Sequence, residues 1–228
     1  CRWAPSEAGG GAGKQQYIEN TNVLVTDWDG VRITDWMPAR FEGGAAAAGF
    51  GGGAVCRLAE AGGQAVELRL ECAPRPDYGR RQVRWQRQAA GRWQAEAGEL
   101  SLFAQASFPL SGADGPLRGT VRLQPGERAW FVFSWGAAPA ELGVEMVCAS
   151  LDATTRSWQQ WAERANYEGR YRPAVVRSAL ALKALIYAPS GAMVAAATTS
   201  LPEAIGGPRN WDYRYCWPRD ATFALYGL

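Results

Sequence analysis

The chain has 228 residues and a mass of 24.7 kDa, and its 24 Lys plus Arg against 22 Asp plus Glu leave a formal charge of +2 at pH 7. A content of 47% hydrophobic and 20% charged residues is that of a globular chain, long enough for one large or two modest domains. It excludes disorder throughout and a strongly basic nucleic-acid surface, and no apolar run reaches the roughly 18 residues that a membrane span needs.

Residues 1–150 carry strand signals. In NVLVT (22–26) and VRITDWM (31–37) apolar and polar residues mix at strand spacing, and Asp29-Gly30 between them supplies the chemistry of a tight hairpin. QAVELRLEC is the clearest alternation, with Val66, Leu68, Leu70 and Cys72 on one face and Glu67, Arg69 and Glu71 on the other. Further strands are expected at QVRWQ (82–86), LSLFAQAS (100–107) and AWFVFSW (129–135), with turns at Ala90-Gly91 and Pro125-Gly126. Many short strands without helical spacers predict an antiparallel β-sandwich. Near Asp152, a candidate N-cap, the period changes to helical, with Trp158 and Trp161 three apart. A second helix is predicted from Pro173, with Val175, Ala179, Leu182 and Ile186 on one stripe and Pro189 and Gly191 as its stop. The expected domains are therefore 1–150 (β-sandwich), 151–172 (linker helix) and 173–228 (the start of a helical domain). The chain opens on Cys1 and stops in an apolar stretch, Ala221 to Leu228, which reads as a piece of a longer protein.

Composition limits the chemistry. There is no histidine, so Ser-His-Asp and Cys-His catalysis, His-ligated zinc and an imidazole switch cannot be built from these residues. Acid–base work falls to carboxylates, Lys, Tyr or Cys. The cysteines (Cys1, Cys56, Cys72, Cys148 and Cys216) are odd in number and form no CxxC pair. That pattern indicates neither a disulfide framework nor a zinc ribbon, and it favours a reducing, cytoplasmic setting.

Two motifs compete for a functional role. GFGGGA (49–54) fits the spacing of a dinucleotide-binding fingerprint, but GGAAAA before it lacks the β-branched residues of a buried parallel strand, so a surface loop is the preferred reading. RNWDYRYCWPRD (209–220) is denser in chemistry. If extended, it sets Trp211, Tyr213, Tyr215 and Trp217 on one side, with Asp212 and Arg214 on the other. Arg219 beside Asp220 then offers donors and an acceptor to neighbouring hydroxyls, next to flat aromatic faces that suit a sugar ring. The alternative is a buried aromatic strand in which Arg219 and Asp220 pair with each other or cap a helix.

Val176 to Leu225, with its run TTSLPEAIGG and then RNWDYRYCWPRD, resembles the opening of the catalytic domain of the family 15 glycoside hydrolases, the glucoamylase and trehalase group. NVLVTDWDGVRITDWMP, PRPDYGRRQVRW and SWQQWAERANYEGRYR resemble the trehalase-like N-terminal domain of bacterial members. The resemblance implies an N-terminal β-sandwich followed by an (α/α)6 barrel, here truncated to its first helices, and hydrolysis of glucosides with inversion. It implies that Arg219 and Asp220 hold the hydroxyls of a terminal glucose and that Tyr213 and Trp217 line the same subsite, with Trp211, Asp212 and Tyr215 as outer candidates. Ser200, Leu201, Pro202 and Glu203 would shape the adjoining loop. Ala197 and Pro218 depart from the family pattern, and Pro218 suits a first helical turn.

Inversion requires two carboxyl groups about 6.5–9.5 Å apart. The resemblance places both glutamates beyond Leu228, assigns no catalytic residue within the chain and implies neither metal nor organic cofactor. The expected partner is a small carbohydrate, not nucleic acid or membrane. The competing class is a glycan-binding or scaffolding sandwich in which Trp28, Trp36, Trp85 or Trp93 stack on sugar, against the reading that these rings fill the core.

Overall fold

The computed structural model describes residues 1–6, 13–39, 49–198 and 203–227. The described chain divides into two units, Cys1–Ile18 with Val23–Ser157, and Glu19–Asn22 with Trp158–Leu228.

The first unit is built from strands β1 (Arg2–Pro5), β2 (Lys14–Tyr17), β3 (Leu24–Trp28), β4 (Val31–Trp36), β5 (Gly53–Ala61), β6 (Val66–Cys72), β7 (Gln86–Arg87), β8 (Trp93–Ala97), β9 (Leu100–Ala106), β10 (Leu117–Leu123) and β11 (Arg128–Trp135). Three of them form a small sheet in the order β1-β6-β10, and eight form a large one in the order β2-β3-β4-β5-β11-β9-β8-β7. All named ladders are antiparallel. The two-residue β3–β4 loop is the expected Asp29-Gly30, and its positive φ falls on Gly30. Gly126 does the same between β10 and β11.

Alternation sorts the large sheet's side chains onto two apolar faces. Ala59 and Ala61 of β5 and Ala129 and Phe131 of β11 join Leu68 and Leu70 of β6 in the core between the sheets. Cys56 and Leu58 of β5 and Trp130 and Val132 of β11 face the other way, towards Leu142 and Val147. Val147 belongs to α1 (Val144–Ala162), whose first part covers that second face. Within it, Ser150 Oγ accepts from Trp36 Nε1 at 3.3 Å and Thr154 Oγ1 accepts from the Ala39 amide at 3.4 Å. The sandwich is therefore backed by a helix.

Several local expectations change. α1 begins at Val144, which places Asp152 in mid-helix and not at an N-cap. Of the expected strand at 82–86 only Gln86 joins a ladder, as the first residue of β7. The preceding residues make one isolated bridge, Arg84 to Asp114, yet Val83 and Trp85 still turn inward. Gly53 and Ala54 of the glycine-rich tract start β5, so GFGGGA opens an antiparallel strand and not the helix that a dinucleotide fingerprint requires. Its glycines serve a close approach: a Cβ on Gly51, whose φ is +84°, would lie 2.2 Å from the Ala137 carbonyl oxygen.

In the second unit, α2 (Arg172–Ala184) carries Pro173 in its first turn. Its buried residues are Val176 and Leu180, one position off the expected stripe, and Val175 is exposed. The reason lies in a segment distant in sequence. Arg177 donates to the Thr21 carbonyl at 2.6 Å and to Asn22 Oδ1, and Asn22 Nδ2 donates to the Leu180 carbonyl at 2.9 Å. Residues 19–22 thus set which face of α2 is covered. The helix ends at Ala184, before Pro189 and Gly191, which instead turn a small hairpin of β12 (Ile186–Tyr187) and β13 (Ala192–Met193). The last helix, α3 (Pro218–Gly227), starts on Pro218. Among the described residues no helix is long and apolar enough to cross a membrane.

Candidate functional site

The densest chemistry lies between β13 and α3. Past β13 the backbone continues alongside residues 213–215: the Ala195 amide donates to the Tyr215 carbonyl at 3.1 Å and the Ala196 amide to the Tyr213 carbonyl at 2.8 Å. Asp212 bends this segment. Its Oδ1 accepts the Arg214 amide at 3.0 Å, an Asx-type turn, and its carboxylate takes the Arg214 guanidinium, with Nη2 to Oδ2 at 2.7 Å and Nε to Oδ1 at 3.0 Å. The indole Nε1 of Trp217 donates to the Asp212 carbonyl at 3.2 Å.

This turn overturns the extended reading of 211–217. Four rings do not line one side, and Asp212 and Arg214 do not point away together: they pair and fold the chain at Tyr213–Tyr215. A carboxylate that can bond its own backbone two residues on offers the chain a turn in place of a ladder. The fold brings Tyr213 onto Trp217, with ring centroids 5.2 Å apart and planes inclined by 17°. Trp211 and Tyr215 are exposed, at 49% and 69%.

Arg219 and Asp220 occupy the first turn of α3. There the Ala221 amide donates to the Trp217 carbonyl at 2.9 Å and Thr222 Oγ1 to the Pro218 carbonyl at 2.7 Å. The Arg219 guanidinium lies 5.6 Å from the Trp217 ring centroid, and its Nη2 donates to Asp220 Oδ2 at 3.1 Å. Asp220 sits at the positive end of the helix dipole, a favourable place for a carboxylate. Tyr213, Trp217, Arg219 and Asp220 are therefore joined in one chain of contacts. Arg219 and Asp220 do pair with each other, as the structural alternative had it, but at an accessible position: their side chains are 63% and 37% exposed. A guanidinium presents several donors in a plane and the second carboxylate oxygen remains an acceptor, so adjacent hydroxyls find complementary partners beside an aromatic face.

Of the loop candidates, Ser200, Leu201 and Pro202 lie outside the described residues. Glu203 is exposed and its carboxylate meets Arg209 at 3.4 Å. The three acids of this region, Glu203, Asp212 and Asp220, each face an arginine within ten residues of sequence. Among the described residues no group of three or more Cys, Asp or Glu is placed to hold a metal ion. The rings of the competing reading are elsewhere engaged. Trp36, Trp85 and Trp93 are buried, which withdraws their faces from a sugar, and Trp28 is half-buried and packs against the core.

The described chain is a strand-rich unit and a helical unit, the latter carrying an aromatic and Arg-Asp cluster at the start of α3. Residues 169–228 match the profile of Glycosyl hydrolases family 15 and residues 4–103 match that of Trehalase-like, N-terminal. The C-terminal residues of the chain are thus similar to family 15 glycosyl hydrolases and its N-terminal residues to a trehalase-like N-terminal region. It is 34% identical over 220 residues to a protein named Trehalase from Thermoplasma volcanium, covering 94% of this chain and 34% of that protein. It is 38% identical over 173 residues to one named Trehalase from Mycobacterium tuberculosis, covering 72% of this chain and 25% of the relative. A segment of 47 residues is 60% identical to one named Trehalase 1 from Sulfolobus acidocaldarius. The chain spans about a third or less of the length of these relatives.

Proposed function

We propose that the chain supplies the sugar-gripping part of an inverting, exo-acting glucoside hydrolase whose substrate is trehalose. Arg219 and Asp220 hold neighbouring hydroxyls of a terminal glucose, Trp217 and Tyr213 form the wall against its ring, and Trp211 and Tyr215 flank the opening. The observation that carries this reading is the continuous contact from the Tyr213–Trp217 stack through the Arg219 guanidinium to Asp220.

The acid and base of the reaction belong to residues beyond Leu228, in a barrel of which α2 and α3 are the first helices. What supports this division is the pairing of Glu203, Asp212 and Asp220 with arginines, which suits gripping hydroxyls better than passing protons to a leaving oxygen. No cofactor takes part. Trehalose is preferred to maltooligosaccharides because the N-terminal match is to a trehalase-like region and the relatives carry that name.

Isothermal titration of the 228-residue chain with trehalose and with maltose tests the reading, together with an assay for released glucose. Weak saturable binding, with a Kd of about a millimolar, preference for trehalose and no glucose release is the expected outcome. Binding that survives Asp220→Ala unchanged, or turnover by the chain alone, contradicts it.

A further inference from the structure

The register of the small sheet brings two cysteines together. β1 and β6 run antiparallel with Arg2 opposite Glu71, Trp3 opposite Leu70, Ala4 opposite Arg69 and Pro5 opposite Leu68. One step further along the same register sets Cys1 opposite Cys72. The kind of pair is fixed as well. The Ser6 amide donates to the Glu67 carbonyl at 2.8 Å, so Ser6 with Glu67 is a hydrogen-bonded pair and alternate positions, Ala4 and Arg2, continue that series. Pro5 with Leu68, Trp3 with Leu70 and Cys1 with Cys72 are then the non-hydrogen-bonded pairs, and a proline lacking its N–H fits one of those slots. In such pairs the Cα atoms stand about 4.5 Å apart and the side chains are on the same face, within the range of about 4.4–6.8 Å that a disulfide spans.

Cys1 also has a charged neighbour. Arg57 Nη1 lies 3.8 Å from Cys1 Sγ and 3.5 Å from the Cys1 carbonyl oxygen, while the same guanidinium is held by Asp35 at 2.5 and 3.1 Å. Burial pushes the Cys72 thiol up to about 11, and the Arg57 charge partly offsets it. Cys1 is exposed and Cys72 is buried, so the two have different parts to play.

We propose that Cys1 and Cys72 form a redox-sensitive disulfide that clips the edge strand β1 to β6, with a small-molecule disulfide as the oxidant. The exposed Cys1 thiolate, next to the Arg57 guanidinium, attacks one sulfur of that disulfide, which breaks its S–S bond, forms a mixed disulfide on Cys1 and expels one small thiolate. The Cys72 thiol gives up its proton to water as its sulfur attacks the Cys1 sulfur, which forms the Cys1–Cys72 bond and expels the second small thiolate. Two protein thiols are oxidised, one small disulfide is reduced to two thiols, and these take up the two protons. The bond would hold β1, and with it the buried Trp3, against the central strand of the three-stranded sheet.

The test is incubation of the intact chain with oxidised glutathione, then alkylation of remaining thiols and peptide mapping. The expected result is a fall from five free thiols to three, a cross-linked pair of peptides carrying Cys1 and Cys72, and amide exchange in Arg2–Pro5 slowed about tenfold or more. Cys72→Ser should stop at glutathione on Cys1. Cys1→Ser, a change at an exposed position, should keep Cys72 reduced even if the buried variant fails to fold. A wild-type chain that halts at the mixed disulfide, or a Cys1→Ser chain in which Cys72 is still oxidised, overturns the proposal.

Discussion

The tryptophans of the strand-rich unit and the aromatic residues that follow β13 in the helical unit are used in opposite ways. In the first, Trp3, Trp36, Trp85, Trp93 and Trp130 are all buried, because strands facing a second layer turn every other side chain into an apolar interior. In the second, Trp211, Tyr215, Phe223 and Tyr226 are exposed, and Trp217 and Tyr213 are arranged by a turn and not by a ladder. A ring's role is thus fixed by the backbone that carries it. Period-two strands make filling, and the Asp212 turn makes a displayed platform.

The contrast can be broken first in the core. Phe131→Ala removes a ring that is 1% exposed between the two sheets and should cost about 3–5 kcal/mol in urea unfolding of the strand-rich unit. An effect below about 1 kcal/mol would mean that the sandwich is not packed as described. Next comes the segment that fixes α2. Arg177→Ala withdraws the donor to Thr21 and Asn22, and hydrogen exchange should register about 1–3 kcal/mol of lost protection in α2. Loss confined to the strands would contradict the part given to residues 19–22.

Smaller effects belong to the displayed platform. Asp212→Ala removes a partly exposed ion pair and the side-chain acceptor of the turn, so global stability should change by no more than about 1–2 kcal/mol. Near-ultraviolet circular dichroism should nonetheless lose the signal of the Tyr213–Trp217 stack, since the turn holds those rings together. Arg219→Lys should leave stability within about 0.5 kcal/mol and act on ligand alone, because a point charge cannot replace a planar fork. A large destabilisation by this exposed change would make Arg219 a structural residue.

Much of this was legible in the sequence, and what was not has physical causes. The alternation at Val66–Cys72 and the Asp29-Gly30 turn are local, and both stand. β5 begins in a glycine-rich tract and shows alternation only once both sheet faces are known to be covered, so it was hidden. The covered face of α2 depends on Thr21 and Asn22, more than 150 residues away, which no window along the chain contains. At the candidate site the residue types were visible and their arrangement was not. Aromatic alternation at 211–217 suggested a strand, whereas the Asp212 carboxylate, by binding its own neighbour's backbone, made a turn. The juxtaposition of Cys1 and Cys72 is likewise a matter of register, absent from any spacing motif.

The most direct measurement is a tryptophan-fluorescence titration of the chain with trehalose, comparing wild type with Trp217→Phe, Arg219→Lys and the core variant Trp85→Phe. The expected result is a saturable change that Trp217→Phe abolishes, that Arg219→Lys weakens about tenfold or more and that Trp85→Phe leaves in place. A change that survives Trp217→Phe but vanishes with Trp85→Phe would place the sugar in the strand-rich unit and contradict the division of the rings between core and platform.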